Sequence, residues 1–119
     1  MPNPDETKWK AHPRWRISRG GEIALGPGKV DLLEAIGQAG SISGAARDLG
    51  MSYRRAWLLV ETMNRCFRRP LVATSRFRRG GASLTGEGRR VLALYRRIQL
   101  ASLAATQTSW AAIERLLAP

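Results

Sequence analysis

The stretch Ser43 to Leu59, SGAARDLGMSYRRAWLL, decides how this chain folds. Ser43 is suited to cap a short helix that runs through Leu49. Gly50 follows, at a place where a left-handed backbone ends the helix and turns the chain. Ser52 then caps a second helix. Ala46, four residues before the glycine, is small enough for another helix to cross closely. Ala45, Leu49, Met51, Ala56 and Leu59 fall where the two helices face each other and a core.

Two short helices on a tight glycine turn are the pattern of a helix-turn-helix, whose second helix enters the major groove of DNA. The other reading is a helical hairpin inside a core. The first turn of the second helix separates the two. Tyr53, Arg54 and Arg55 follow the cap, and Arg55 stands where a capping box would place Glu or Gln. Two arginines at the positive end of the helix dipole each cost about 0.3–1 kcal/mol when solvated. They suit an arriving phosphate or guanine edge instead. Arg65, Arg68 and Arg69 are expected in the last turns of the same helix, where cations are electrostatically at home. Pro70 is expected to close it.

Outward from this core motif, the pattern extends in both directions. Upstream, Trp15, Ile17, Ile23 and Leu25 alternate with polar residues around Gly20-Gly21, which predicts a hairpin. Gly26-Pro27-Gly28 reads as a break. Val30, Leu33, Ile36 and Gly37, with Leu32 beside them, predict a helix ending at Gly40. Downstream, Leu71 to Thr74 and Ala82 to Leu84 read as strands flanking a basic loop. That loop holds Arg76, Arg78 and Arg79 and ends in Gly80-Gly81. Three arginines there cannot serve a core, but they can reach a minor groove or a row of phosphates. Thr85 caps a long last helix with Glu87 in its first turn. Val91, Leu94, Tyr95, Ile98, Ala101 and Ala105 mark one face of that helix, with Leu92 and Leu103 elsewhere. A break is expected near Thr106 to Ser109, before Trp110, Ile113, Leu116 and Leu117.

The fold class expected is mainly α: a winged helix-turn-helix with a small β-hairpin wing and a long C-terminal dimerisation helix. Residues 1–13, with three prolines, are expected as a disordered tail. Residues 14–105 form the winged domain, and residues 85–118 the C-terminal helix or helices.

Composition agrees with a polyanion partner. The 119 residues carry 20 Lys and Arg against 9 acids, a net charge of +11. Only Lys8, Lys10 and Lys29 are lysines; the rest are arginines, whose planar forks pair bidentately with phosphate and guanine. Cys66 and His12 are each the sole residue of their type, so neither an internal disulfide nor a zinc site of Cys and His ligands is available. No apolar run reaches the ~20 residues of a membrane span, and the first ten residues lack the apolar centre of a secretory signal. The setting expected is cytoplasmic. No motif of a catalytic centre is present, and no cofactor is expected. Trp9, Trp15, Trp57 and Trp110 read as packing residues.

Gly40-Ser41-Ile42-Ser43, Ala45-Ala46, Leu49-Gly50-Met51-Ser52-Tyr53, Ala56-Trp57 and Met63-Asn64 together resemble the N-terminal domain of ModE-type molybdate-responsive regulators. The wing and Leu84-Thr85-Gly86-Glu87-Gly88 continue the resemblance, which covers about residues 27 to 105. The same frame, less closely, resembles the DNA-binding domain of LysR-type regulators. The resemblance implies a homodimer joined partly by the last helix, a near-palindromic operator, and control of molybdate uptake or molybdoenzyme genes. It places Ser52, Tyr53, Arg54 and Arg55 at the start of the recognition helix. Full-length regulators of that type carry C-terminal oxyanion-binding domains, and this sequence ends after the fourth helix. Molybdate binding by this chain is therefore not expected, and a separate sensor protein becomes a candidate partner.

The DNA contacts expected are Ser52 to Arg55 for bases, Arg76, Arg78 and Arg79 for the wing, and Ser43 with Arg47 for phosphate. The dimer contacts expected are Leu92, Tyr95, Ile98 and Leu103. Competing readings are a LysR-like regulator of an unrelated regulon, a protein-interaction adaptor subunit whose basic face meets an acidic protein, and an RNA-binding protein.

Overall fold

The computed structural model describes residues 3–75 and 80–119. After a 3₁₀ turn at Pro4–Thr7, the order is β1 (Ile17–Arg19), β2 (Glu22–Leu25), α1 (Pro27–Ala39), α2 (Ile42–Asp48), α3 (Tyr53–Cys66), β3 (Val72–Thr74), β4 (Ala82–Leu84) and α4 (Gly86–Glu114). β1 and β2 pair antiparallel around Gly20-Gly21, as the alternation predicts. β3 and β4 form a second antiparallel pair, Val72 opposite Leu84 and Thr74 opposite Ala82. The fold is the winged helix-turn-helix expected. Arg76, Phe77, Arg78 and Arg79, between β3 and β4 in sequence, lie outside the described residues.

The local signals act at their places with three corrections. Gly26-Pro27-Gly28 does not break the chain but starts α1: Gly26 is the N-cap and Pro27 the first helical residue, where a missing N–H costs nothing. The cap of α2 is Ser41, not Ser43; the Ser41 hydroxyl accepts from Gly44 N–H at 3.0 Å, and Ser43 sits exposed inside the first turn. α3 ends at Cys66, before Pro70, so Arg68 and Arg69 lie beyond it. Gly50 has φ +66°, and Met51 N–H reaches Ala46 C=O at 3.0 Å, which fixes the sharp turn from α2 to α3.

The core gathers Val30, Leu32, Leu33 and Ile36 of α1, Ile42, Ala45 and Ala46 of α2, Ala56, Val60 and Met63 of α3, then Leu25, Leu71, Val72, Ala82 and Tyr95. Asn64 ties α3 to the wing. Its carbonyl oxygen accepts from Leu71 and Val72 N–H at 2.9 and 3.1 Å, and its amide donates to Val72 C=O at 3.0 Å. Thr85 closes the other end of the wing, donating from its hydroxyl to Pro70 C=O at 2.7 Å and accepting from Gly88 N–H at 3.0 Å. Gly88 passes so near the wing that a methyl group there would stand 2.1 Å from Leu71 O.

α4 is one continuous helix of 29 residues, about 44 Å long, with no break at Thr106 to Ser109. Within this polar stretch Thr106 turns its hydroxyl back onto the helix, donating to Ser102 C=O at 2.6 Å. Arg96 anchors the proximal half to α1 through Asp31 and Glu34. The core-facing arc is wider than one stripe. Tyr95 is 1% exposed and lies in the chain's own core, while Leu92 is half-buried against that core. Ile98 is half-buried and lines an apolar cavity of about 220 Å³ with Trp15, Leu25 and Tyr95. Leu103 is exposed, as are Leu100, Ile113 and Leu116. The first residues follow α4 outward: Trp9 Nε1 donates to Ala118 C=O at 2.7 Å.

Candidate nucleic-acid interface

The surface of α3 is built by the turn before it. Gly50 and the Ser52 cap set the direction of the helix, and Ser52 Oγ accepts from Arg55 N–H at 3.1 Å. Ala56, Val60 and Met63 then face inward. With 100° per residue, Arg54, Trp57, Leu58 and Glu61 fall on the outer side; Tyr53 has the phase of the inner line but sits one turn ahead of Ala56, and all five are exposed. Ser52, Arg54, Arg55, Leu58 and Leu59 border an open groove of about 350 Å³. Of the four residues expected to read bases, Ser52, Arg54 and Arg55 border this groove, and Tyr53 is exposed outside it. Ser43 and Arg47 are exposed on α2.

Trp57 is not among the residues the sequence pointed to, and it is 45% exposed on this face, one turn from Tyr53 at 55%. The spacing contains the signal: residue 57 is 100° round the helix from Ala56 and off the 56–60–63 line, and it is four residues from Tyr53. The aromatic type pointed to packing; the helix phase decides otherwise. An exposed aromatic pair offers apolar contact to a thymine methyl or a sugar.

Charge at this face is unbalanced. Among the described residues the ion pairs are Arg65 with Glu22, at 2.8 Å, and Arg96 with Asp31 and Glu34. Arg65, expected as a helix-end cation, is thereby engaged by the β1–β2 hairpin. Cys66 donates its thiol to the other oxygen of Glu22 at 2.9 Å. That bond, followed by the Arg65 guanidinium, holds the Glu22 carboxyl below the usual range, and it pushes the Cys66 thiol up. Arg14, Arg16, Lys29, Arg47, Arg54 and Arg55 have no ion-pair partner among the described residues. Burial lowers the Lys29 pKa and the nearby Arg55 adds to this, while Cys66 and Glu22 oppose it.

Among the described residues, no group of three or more His, Cys, Asp or Glu is placed to hold a metal, and no helix is long and apolar enough to cross a membrane.

The family model of the bacterial regulatory helix-turn-helix proteins of the lysR family matches residues 28–89, just over half of the chain. Among curated proteins, the chain is 40% identical over 79 residues to the molybdenum-pterin-binding protein MopA of Rhodobacter capsulatus, covering 65% of this chain and 30% of that protein. It is 42% identical over 79 residues to the molybdenum transport protein ModE of Azotobacter vinelandii, covering 65% and 29%. It is 42% identical over 71 residues to the DNA-binding transcriptional dual regulator ModE of Escherichia coli K12, covering 58% and 27%. The chain therefore spans somewhat under a third of the length of these relatives. Among solved structures, the CbnR_DBD–DNA complex superposes with a TM-score of 0.57 at 25% identity, covering 71% of this chain and 94% of that one.

Proposed function

We propose that this chain, which belongs to the lysR family of bacterial regulatory helix-turn-helix proteins, is a sequence-specific DNA-binding transcription regulator of the ModE type. The observation that carries the reading is the first turn of α3: capped by Ser52, aimed by Gly50, exposed, and holding two arginines with no ion-pair partner among the described residues. Arg54 and Arg55 are placed to donate to guanine edges or phosphates. Tyr53 and Trp57 add apolar contact in the major groove. Ser43 and Arg47 on α2 serve the phosphate backbone, and Arg76, Arg78 and Arg79 act as the wing. The likeness to a solved DNA complex supports duplex DNA as the partner.

The active form is a homodimer. Beyond Gln99 the residues of α4 are mostly exposed, and Leu103, Trp110 and Ile113 recur at helical spacing along it. A second copy covers such a stripe with two-fold symmetry and sets two recognition helices about one DNA turn apart. Relatives named for molybdenum transport and molybdenum-pterin binding support genes of molybdate uptake or molybdoenzymes as the ones controlled. The chain acts inside the cell, as a regulator and not as an enzyme.

Footprinting on DNA upstream of molybdate-transport genes tests the reading, with an equal length of scrambled duplex as competitor. A protected near-palindrome resistant to the competitor is expected. Equal affinity for both duplexes overturns sequence-specific regulation, and absence of binding to either overturns DNA binding.

A further inference from the structure

Arg55 lies between two surfaces. On one side it borders the groove of α3; on the other it borders a cavity of about 160 Å³ with Leu59, Lys29 of α1, and Arg14 and Arg16 from the segment leading into β1. The two share Arg55 and Leu59 as a wall. Four cationic side chains from three separate parts of the chain meet at the second cavity. Among the described residues no acidic side chain lines it, and none of the four cations has an ion-pair partner. Arg16 lies across Gly26, where a methyl group would stand 3.3 Å from its Cγ and 3.9 Å from its Nε. The Arg16 side chain thus packs directly on the N-cap of α1 at the edge of this cavity.

Like charges do not converge in this way for the sake of the fold. Four cations around one small hollow repel one another, and a half-buried ammonium at Lys29 is partly desolvated as well. An oxyanion in the hollow replaces the mutual repulsion by attraction and offsets the desolvation of Lys29. Arg14 and Arg16 lie ahead of the stretch matched by the family model, which begins at residue 28, and reach the site from the segment before β1.

We propose that Arg14, Arg16, Lys29 and Arg55 form an oxyanion site filled by a backbone phosphate of DNA flanking the groove that α3 enters. The site deepens the DNA-binding reading and rests on it. Arg55 joins the two functions, one edge toward the bases and the other toward the phosphate. The hairpin thus becomes a second arm on the duplex, in addition to the wing between β3 and β4.

The test uses the full chain, a duplex selected from a random pool by the wild type, and a scrambled duplex of equal length. Arg14→Gln with Arg16→Gln, and separately Lys29→Gln, should weaken binding to both duplexes by a similar factor, about 10-fold near 0.1 M salt. The slope of log K against log[salt] should become shallower by about 1 for each phosphate that is no longer neutralised. Arg16→Lys should keep most of the slope, and circular dichroism reports whether each variant is folded. Folded variants with wild-type affinity and slope overturn the proposal while Arg54→Ala still loses discrimination, which leaves the DNA reading standing. Selective weakening on the chosen duplex alone overturns it too, by making the site a base reader. Titration of the wild type with inorganic phosphate, sulfate and molybdate distinguishes the source: saturable binding abolished in Lys29→Gln, with DNA affinity unchanged, assigns the site to a free oxyanion and overturns the phosphodiester. If the wild type binds neither duplex, the functional reading itself fails.

Discussion

The Tyr95 hydroxyl donates to the carbonyl of Trp15 at 2.7 Å, joining the middle of α4 to the segment before β1 across 80 residues of chain. The two rings also meet edge to face, with centroids 6.2 Å apart. This bond and contact fix how the N-terminal arm lies against the domain. Tyr95→Phe keeps the ring and removes the donor, so it should cost about 1 kcal/mol in denaturant unfolding. Tyr95→Ala should cost about 3–5 kcal/mol, because a ring buried in the core leaves a void. A Phe variant as unstable as the Ala variant would show that the hydroxyl, not the ring, secures the arm.

Gly88→Ala should be among the most disruptive single-methyl changes available. The added carbon would meet Leu71 O at 2.1 Å, and Leu71 O already accepts from Thr85 N–H at 2.9 Å. Backbone must move at the base of the wing. A loss of roughly 2 kcal/mol or more is expected, compared with the gain of up to about 1 kcal/mol that Gly to Ala brings in an unobstructed helix. Thermal melting of the variant against Gly86→Ala, which has open space around it, checks the assignment to this close approach.

DNA affinity should fall steeply with salt. The chain carries a net charge of +11, and a dimer neutralising at least six phosphates gives a slope of log K against log[salt] of about −5 or steeper. A slope near zero over the same salt range would mean that phosphate contacts do not drive binding.

Helix and wing should divide the work. Arg54→Ala or Arg55→Ala should lose roughly 1–3 kcal/mol of discrimination between operator and random duplex, as expected when a bidentate base contact is removed. Arg78→Ala should weaken both duplexes alike. Equal losses on both duplexes for all three variants would show that α3 does not read sequence.

Sedimentation should show a dimer, and Leu103→Asp with Ile113→Asp should convert it to a monomer while the proximal domain keeps its melting transition. Both residues are exposed on the distal half of α4, at 39% and 53%. A wild type that sediments as a monomer and binds a single half-site with full affinity would remove the dimer from the mechanism.

Much of the fold was legible because its signals are local. A cap, a glycine with positive φ and a helical period are each written within a few residues. Ser52, Gly50, Thr85 and the strands on either side of the wing therefore took the places their neighbours dictate. The first turn of α3, with Tyr53, Arg54 and Arg55, was legible as a surface for the same reason: two arginines after a cap conflict with the helix dipole unless something outside the chain answers them. Ser41 and Ser43 show the limit of such signals. Both are good caps, and the backbone chose Ser41, whose residue pairs with Gly81 at the base of the wing while Gly40 C=O accepts from Ala82 N–H. That choice came from a segment about 40 residues away.

The sequence by itself determined the helix-turn-helix, the wing strands and the excess of arginine. Tertiary structure alone decided which side of each helix meets the core and which distant cations meet one another. Tyr95 went inward against Trp15 and Leu25, from the segment ahead of β1 and the end of β2, Leu92 packs half-buried on the core, and Arg96 holds α4 to α1 through Asp31 and Glu34. Trp57 went outward because Ala56, Val60 and Met63 had already filled the inner arc of α3. Arg14, Arg16, Lys29 and Arg55 come from three separate stretches of sequence, and they share a cavity because the hairpin folds back over the start of α1. Periodicity fixes the angle between neighbours on a helix, but the absolute direction of a face is set by whatever surface packs against it, and that surface is contributed by chain that is remote in sequence.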